Sequence, residues 1–185
     1  SNPSPEFTGR ICPALCEKAC VLYLTTGDAV TNRENECAIA ERAFVEGYVT
    51  IEHPERNGKK VAVIGSGPAG LAAANSVNYM GYEVTVFEKN EAAGGLLRYG
   101  IPNFKLNKKI IDRRISVMEQ EGVVFKYNSE FSEISEYSDY DAVVIATGTP
   151  TARDLKAPGR ELKGIHLALE LLGQQNRVLA GREFS

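Results

Sequence analysis

One glycine-rich stretch constrains the fold of this chain more than any other feature. The residues from Gly65 to Gly70 read G-S-G-P-A-G, which matches the pattern G-x-G-x-x-G between a short apolar run and a helical pattern. In that position the pattern is typical of a strand, turn and helix that bind the pyrophosphate of a dinucleotide. Gly65 permits the tight turn, Gly67 lets the backbone approach the phosphates, and Gly70 lets the helix pack closely. The N–H groups at the start of the helix then face the phosphates.

The segments around this fingerprint alternate between strand and helix patterns. Strand patterns lie at 61–64, 83–88, 123–127 and 141–146, and helical patterns lie at 68–80 and 107–120. The first strand, the first helix and the second strand form a unit of roughly 30 residues, which is typical of a right-handed crossover between parallel strands. Short apolar runs of this kind are expected in strands buried on both faces. We therefore predict an α/β fold with a Rossmann-like domain and a parallel sheet.

An acid marks the end of the second strand pattern. Glu88 stands eighteen residues after Gly70. A carboxylate at this point accepts hydrogen bonds from ribose hydroxyls and repels a 2′-phosphate, so FAD or NAD is favoured over NADP. The pair Gly94-Gly95 follows and would permit a second close backbone approach to a long cofactor such as FAD. A simple glycine loop gives the same pattern, so the residues alone leave FAD and NAD open.

Three of the four cysteines lie within nine residues near the start of the chain. Cys12, Cys16 and Cys20 are spaced four apart, so a helix would place the outer pair about 12 Å apart, which is too far for one compact cluster. A division between two metal or cluster sites is the better geometry, and a zinc site or plain buried cysteines are the alternatives. The spacing is poor for a disulfide framework.

A polar run with Pro, Asn and Gly at 53–60 predicts a domain boundary near residue 55. We predict a helical, cysteine-bearing segment over 1–54, a Rossmann-like domain over 55–172, and the start of a further connection over 173–185. The net charge of -3 excludes a polybasic protein that binds nucleic acid or membranes. Apolar runs fall short of the ~20 residues of a membrane span, and no signal peptide is recognisable, so we expect a cytoplasmic location.

Four motifs together resemble those of one family. They are E-F-T-G-R at 6–10, C-P-A-L-C-E-K-A-C at 12–20, the fingerprint at 65–70, and G-G-L-L-R-Y-G-I-P at 94–102. Their combination resembles the small (beta) subunits of NADPH-dependent glutamate synthase, within the pyridine nucleotide-disulfide oxidoreductase superfamily. The same pattern recurs in the N-terminal part of dihydropyrimidine dehydrogenase and in NADH-dependent ferredoxin:NADP oxidoreductases. The resemblance implies FAD at the first fingerprint, and therefore a Rossmann-like FAD-binding domain.

The resemblance also implies which residues hold FAD. The adenosine ribose would lie at Glu88, and the strand-end turn at 146–148 would lie beside the flavin. Lys105 stands where relatives often carry an arginine, and lysine keeps the charge but lacks the planar fork. The implied cofactor contacts are Gly65, Gly67, Pro68, Ala69, Gly70, Glu88, Lys89, Gly95, Leu96, Arg98, Lys105, Ala146, Thr147 and Gly148.

For the cysteine string the resemblance implies two 4Fe-4S clusters. By position, Cys12, Cys16 and Glu36 would serve one cluster and Cys20 the other, with the remaining cysteines supplied from upstream of this chain. Those upstream residues are absent, so we expect the clusters to be incomplete here. Cys37 lies outside the string, and we expect it to be a small buried side chain.

The activity that the resemblance implies is electron input. NADPH reduces FAD, and electrons then pass through iron-sulfur clusters to a partner, which in glutamate biosynthesis is the glutamate synthase large subunit. Only one fingerprint occurs in the sequence, and an NADPH domain would follow residue 185. We therefore expect a fragment of a longer polypeptide that is inactive alone and has no catalytic residue of its own. A ferredoxin-coupled relative, a non-catalytic nucleotide-binding module and an NAD-dependent dehydrogenase domain are the alternatives.

Overall fold

A four-stranded parallel sheet forms the centre of the computed structural model, which describes residues 2–149 and 151–182. The strands are β1 (Lys60–Ile64), β2 (Glu83–Phe87), β3 (Val124–Lys126) and β4 (Ala142–Ile145). Their order is β3-β2-β1-β4, and every pairing is parallel. The α/β fold with a parallel sheet is confirmed, and each predicted strand is present with both ends within one residue of the prediction.

Within the same ranges the chain forms eight α-helices. They are α1 (Pro5–Ile11), α2 (Leu15–Lys18), α3 (Tyr23–Thr26), α4 (Asn32–Val45), α5 (Pro68–Tyr79), α6 (Leu96–Tyr99), α7 (Lys108–Gln120) and α8 (Ala168–Leu179). The helices predicted at 68–80 and 107–120 are confirmed as α5 and α7. Asn107 caps α7, since its side chain accepts a hydrogen bond from the Lys109 N–H at 3.0 Å. In the part of the chain that the structure describes, no helix has both the length and the apolar surface to cross a bilayer.

The main core lies between one face of the sheet and the helices α5 and α7. Leu71 and Ala74 from α5 and Ile111 and Met118 from α7 are buried there with the side chains of the central strands. Four of the five residues of β1 are buried, as predicted for a strand covered on both faces.

Strand β4 departs from the prediction of a buried strand. Ile145 is 58% exposed, and Ala142 is also exposed. The physical reason is position, because β4 lies at the edge of the sheet and pairs only with β1 in the described residues. An apolar run shows that a strand can be covered, but it does not show which neighbours cover it.

Aromatic side chains cover the other face of the sheet. Tyr137 lies in a 3₁₀ turn at Ile134–Tyr137 and packs edge-on against Phe87, with the ring centroids 4.9 Å apart. Phe131 stacks on Tyr137 at 5.8 Å. The segment 130–141 therefore contains a 3₁₀ turn that shields this face of the sheet.

The cysteine-bearing segment is docked on α7 through charged side chains. Glu6 of α1 is fully buried and pairs with Arg114 at 2.5 Å. Glu41 of α4 pairs with Arg113 at 2.5 Å, and the Arg113 guanidinium lowers the pKa of that carboxyl. The Arg113 guanidinium also lies 3.7 Å from the centroid of the Phe44 ring. Arginine can bond a carboxylate and stack on a ring at once, which suits it to this interface.

The polar run at the predicted domain boundary is held against the sheet domain by Arg56. One guanidinium nitrogen of Arg56 donates to Asn78 Oδ1 at 2.7 Å and to the Tyr82 carbonyl at 2.6 Å, and the other donates to the Glu121 carbonyl at 2.9 Å. Asn78 and Glu121 are both buried. The connection near residue 55 is therefore anchored to the sheet domain at Arg56, while every residue of 53–60 except Pro54 is exposed.

Helix α8 lies across the predicted boundary between 172 and 173. Its Asn176 is 6% exposed and donates to the carbonyls of Tyr99 at 3.2 Å and Ile101 at 3.1 Å, which fixes α8 beside α6. The division of the chain at 54 and 172 stays a prediction. Its outermost residues, 1 and 183–185, lie outside the described residues.

Candidate dinucleotide-binding site

The fingerprint forms the turn between β1 and α5, as predicted. Gly65 has φ +99°, and a Cβ there would lie 2.5 Å from the Ala146 carbonyl oxygen. A Cβ at Gly70 would lie 1.9 Å from the Gly65 carbonyl oxygen, so only glycine lets α5 start this close to β1. Gly67 differs, because a Cβ built on it meets nothing within 4 Å. Open space therefore adjoins Gly67. Gly67 is the N-cap residue of α5, and as a glycine it offers no side-chain acceptor to the N–H groups of the first turn.

Glu88 lies at the carboxyl end of β2, directly beside this turn. It is 4% exposed. Its Oε2 accepts hydrogen bonds from the Ser66 N–H at 3.1 Å and from the Ser66 hydroxyl. Its Oε1 accepts from the Asn90 N–H at 2.9 Å and from Asn90 Nδ2 at 2.6 Å. Donors on both oxygens fix the orientation of the carboxylate.

The glycine pair that follows packs onto the fingerprint. The Gly94 N–H donates to the carbonyl and to the hydroxyl of Ser66, each at 3.1 Å. Gly95 has φ +49°, and a Cβ there would lie 2.7 Å from the Gly67 Cα. Leu96 begins α6 next to this contact and is 55% exposed. The two glycine motifs thus meet at Gly67.

The strand-end turn after β4 completes this edge of the sheet. The Ala146 N–H donates to the Ile64 carbonyl at 2.8 Å, which aligns the turn with the end of β1. Thr147 and Gly148 are exposed, as are the two residues at the start of α5, Pro68 and Ala69. The fingerprint, Glu88, the glycine pair and this turn therefore share the carboxyl edge of the parallel sheet, where α/β folds bind their ligands.

Three predicted contacts have side chains that bond elsewhere in the chain or are exposed. The Arg98 guanidinium donates to the Ala93 carbonyl and to Asp112, each at 2.5 Å. Lys105 is exposed and lines a surface concavity beside Cys37 of α4. Lys89, at the end of β2, is exposed. Cofactor contacts by these three side chains stay predictions.

The cysteine string does not form one continuous helix. Cys12 follows the end of α1, Cys16 lies in α2, and Cys20 follows α2. Cys12 and Cys16 are exposed, Cys20 is half-buried, and the Cys16 sulfur lies 3.7 Å from Asn32 Nδ2. A hydrogen bond from the Val30 main chain lowers the pKa of the Cys20 thiol.

Glu36 is bonded within the same segment. It accepts hydrogen bonds from the Thr8 hydroxyl at 2.7 Å and from Asn2 Nδ2 at 2.5 Å. Among residues 2–149 and 151–182, no three His, Cys, Asp or Glu side chains are close enough to hold a metal ion. The residues present do not by themselves form a cluster site, and the proposed ligands Cys12, Cys16, Cys20 and Glu36 stay predictions. Cys37 is half-buried against Gly9, less enclosed than expected.

The sequence did not predict the roles of three residues in this region. Ser66 and Asn90 hold Glu88, yet both occupy positions on which the glycine pattern is silent. Lys108 donates from Nζ to the carbonyls of Leu97 at 2.9 Å and Ile101 at 2.5 Å, and burial, followed by the nearby Arg98 charge, lowers its pKa to about 8. A lysine directly after the Asn107 cap was the only signal for that contact.

The sequence matches one known protein family and is similar to proteins of known name. Residues 59–180 match the family described as pyridine nucleotide-disulphide oxidoreductase. The chain is 48% identical, over 98% of its length, to a glutamate synthase (NADPH) small chain from Mycobacterium tuberculosis, of which it covers 38%. It is 46% identical, over 93% of its length, to the Bacillus subtilis protein of that name, of which it covers 36%. The chain thus spans under two fifths of the length of these curated relatives.

Solved structures support the same fold. FprA of Mycobacterium tuberculosis in complex with NADPH is 28% identical over 64% of this chain and 29% of its own, with a TM-score of 0.56. A 2-naphthoyl-CoA reductase in complex with 2-naphthoyl-CoA is 28% identical over 68% of this chain and 19% of its own, also with a TM-score of 0.56.

Proposed function

We propose, because the chain belongs to the pyridine nucleotide-disulphide oxidoreductase family, that its fingerprint site binds FAD as part of an electron-input oxidoreductase. One observation carries the proposal. Gly67, at the start of α5, adjoins open space, the Gly95 backbone packs beside its Cα, and Glu88 stands at the end of the adjacent strand. Three relatives that are 48%, 46% and 43% identical are named as small chains of glutamate synthase, which supports the oxidoreductase class.

The residues at this edge fit the parts of a dinucleotide. The N–H groups at the start of α5 donate to a pyrophosphate that approaches Gly67, and the helix end favours its negative charge. Glu88 accepts hydrogen bonds from the adenosine ribose hydroxyls and repels a 2′-phosphate, which disfavours NADP at this fingerprint. FAD, when bound, supplies the hydride and single-electron chemistry, and the chain supplies binding and orientation.

For a protein of the relatives' full length, the proposal extends to the electron path. NADPH is the donor, and the acceptor is the glutamate synthase large subunit, in glutamate biosynthesis in the cytoplasm. Cys12, Cys16 and Glu36 contribute ligands to one 4Fe-4S cluster and Cys20 to a second, with further ligands from outside this chain. The names of the relatives support this assignment, since several are NADPH-dependent glutamate synthase small chains.

Competition between FAD and NAD tests the cofactor. Purified chain is titrated with FAD, followed by flavin fluorescence, and the titration is repeated with excess NAD present. We expect FAD to bind and NAD to displace little of it. Binding of NAD with no binding of FAD would refute the proposal and favour a nicotinamide-binding Rossmann domain.

A further inference from the structure

We propose that Ser66 is a positioning residue of the dinucleotide site, whose hydroxyl fixes the carboxylate of Glu88 for ribose binding. The inference rests on the proposed function, in which Glu88 binds the adenosine ribose of FAD. It concerns a position that the G-x-G-x-x-G pattern leaves unspecified.

Ser66 connects three of the backbone segments that build the site, namely the fingerprint turn, the end of β2 at Glu88 and the glycine pair. It belongs to the fingerprint turn and is 0% exposed. Both its N–H and its hydroxyl donate to one oxygen, Oε2 of Glu88. The same hydroxyl accepts the Gly94 N–H at 3.1 Å. A serine hydroxyl has one hydrogen to donate and can also accept, so both functions are in use here.

Glu88 is held from two sides, and Ser66 supplies one of them. Asn90 occupies Oε1 through its main-chain and side-chain N–H groups. Ser66 occupies Oε2, and its hydroxyl gives the O–H···O⁻ bond, a charge-assisted kind that is stronger than a neutral one. Without this bond the carboxylate keeps one long main-chain contact on Oε2, at 3.1 Å. The Oε2 side of the carboxylate is then held less firmly than the Oε1 side, which keeps both bonds from Asn90.

Loss of the hydroxyl leaves the nearby backbone bonded. The Gly94 N–H retains the Ser66 carbonyl at 3.1 Å. The Ser66 N–H retains Glu88 Oε2. The substitution Ser66→Ala therefore changes the support of Glu88 more than it changes the path of the glycine loop.

The experiment is a double-mutant cycle on FAD affinity. The variants are S66A, E88Q and S66A/E88Q, with Ser76→Ala, at an exposed serine of α5, as the matched control. We expect S66A to weaken FAD binding about tenfold, because a hydrogen bond to a charged group is lost. S76A leaves the affinity unchanged. In the E88Q background, S66A weakens binding by less than about twofold, because the group it positions is already altered.

Two further variants separate positioning from folding. Ser66→Thr restores the hydroxyl and recovers FAD affinity to within about threefold of the unmodified chain. Should S66A fail to fold, Ser66→Cys, a weaker donor of similar size, takes its place in the cycle with the same expected pattern.

The possible failures are distinguishable. Unchanged affinity in S66A, or an equal loss with and without E88Q, overturns the positioning role while the FAD site stands. An unmodified chain that binds no FAD refutes the proposed function, and the positioning role with it.

Discussion

Gly67 and Glu88 occupy one edge of the sheet but have opposite surroundings. A Cβ at Gly67 would meet nothing within 4 Å, whereas Glu88 is 4% exposed and bonded on both carboxylate oxygens. A substitution at Gly67 therefore tests ligand binding with little effect on the fold. A substitution at Glu88 changes both.

We predict that Gly67→Ala weakens FAD binding at least about tenfold, because the new methyl group occupies the space that a pyrophosphate needs. The fold should tolerate it, since the φ of -67° is ordinary for any residue. FAD titration and thermal unfolding check the two parts. Gly173→Ala, at a helical glycine of α8, is the control. Wild-type affinity in G67A would show that the phosphates lie elsewhere.

We predict that Glu88→Ala lowers the free energy of unfolding by about 2 kcal/mol, because the buried donors of Ser66 and the half-buried donors of Asn90 lose their acceptor. It should also abolish tight FAD binding. Urea unfolding and FAD titration measure the two effects, with Glu83→Ala at the exposed start of β2 as the control. Unaltered FAD affinity would mean that the ribose does not contact Glu88.

Single residues were predictable where the backbone dictates the residue type. A Cβ at Gly65 or Gly70 would clash with the neighbouring backbone, so only glycine fits at either position. The G-x-G-x-x-G spacing therefore predicts both residues. The roles of Ser66 and Asn90 depend on a carboxylate from another strand. Such pairings arise from tertiary structure, and one sequence does not record them.

Elements were predictable where local pattern and caps agree. Helix α7 combines apolar periodicity with an Asn107 cap that the structure shows. Helix α8 has Leu169, Leu172 and Leu179 at helical spacing, although no helix is predicted there. The docking of Arg56 depends on partners far along the chain, so composition predicted only a domain boundary near residue 55.

The docking of α4 on α7 should depend on pH through Glu41. The Arg113 guanidinium lowers the pKa of Glu41 from its ordinary 4.5. Because the pKa of Glu41 is lower in the folded protein than in the unfolded chain, the ionised carboxylate stabilises the fold. This stabilisation is complete above pH 4.5 and is lost as the pH falls through the lowered pKa. We predict that Glu41→Gln costs about 1 kcal/mol at pH 7 and that the difference from wild type shrinks below pH 4.5.

Urea unfolding of both proteins at several pH values measures this difference. Glu46→Gln is the matched control, because Glu46 pairs with Arg42 on the exposed side of the same helix. Its effect should stay below about 0.5 kcal/mol. If the free energy of unfolding of E41Q differed from that of wild type by the same amount at every pH, the ionised Glu41 carboxylate would not stabilise the fold.

In the molecule as a whole, the fingerprint, Glu88 and the glycine pair lie at one edge of the sheet, while the cysteine-bearing segment packs on α7. The chain matches its family over 59–180 and spans 38% of a relative 48% identical to it. The α/β class and the glycine turn were predictable because both are encoded locally. The placement of the cysteines was not, because their segment has short helices and makes its contacts through distant arginines.

The central claim is that this chain holds FAD at the fingerprint. The most direct measurement is a visible absorption spectrum of the purified chain after incubation with FAD and removal of the excess, repeated on the filtrate after heat denaturation. Our account predicts flavin bands with the protein that move to the filtrate on heating, and their loss in G67A. A protein that stays colourless after incubation with FAD would contradict it.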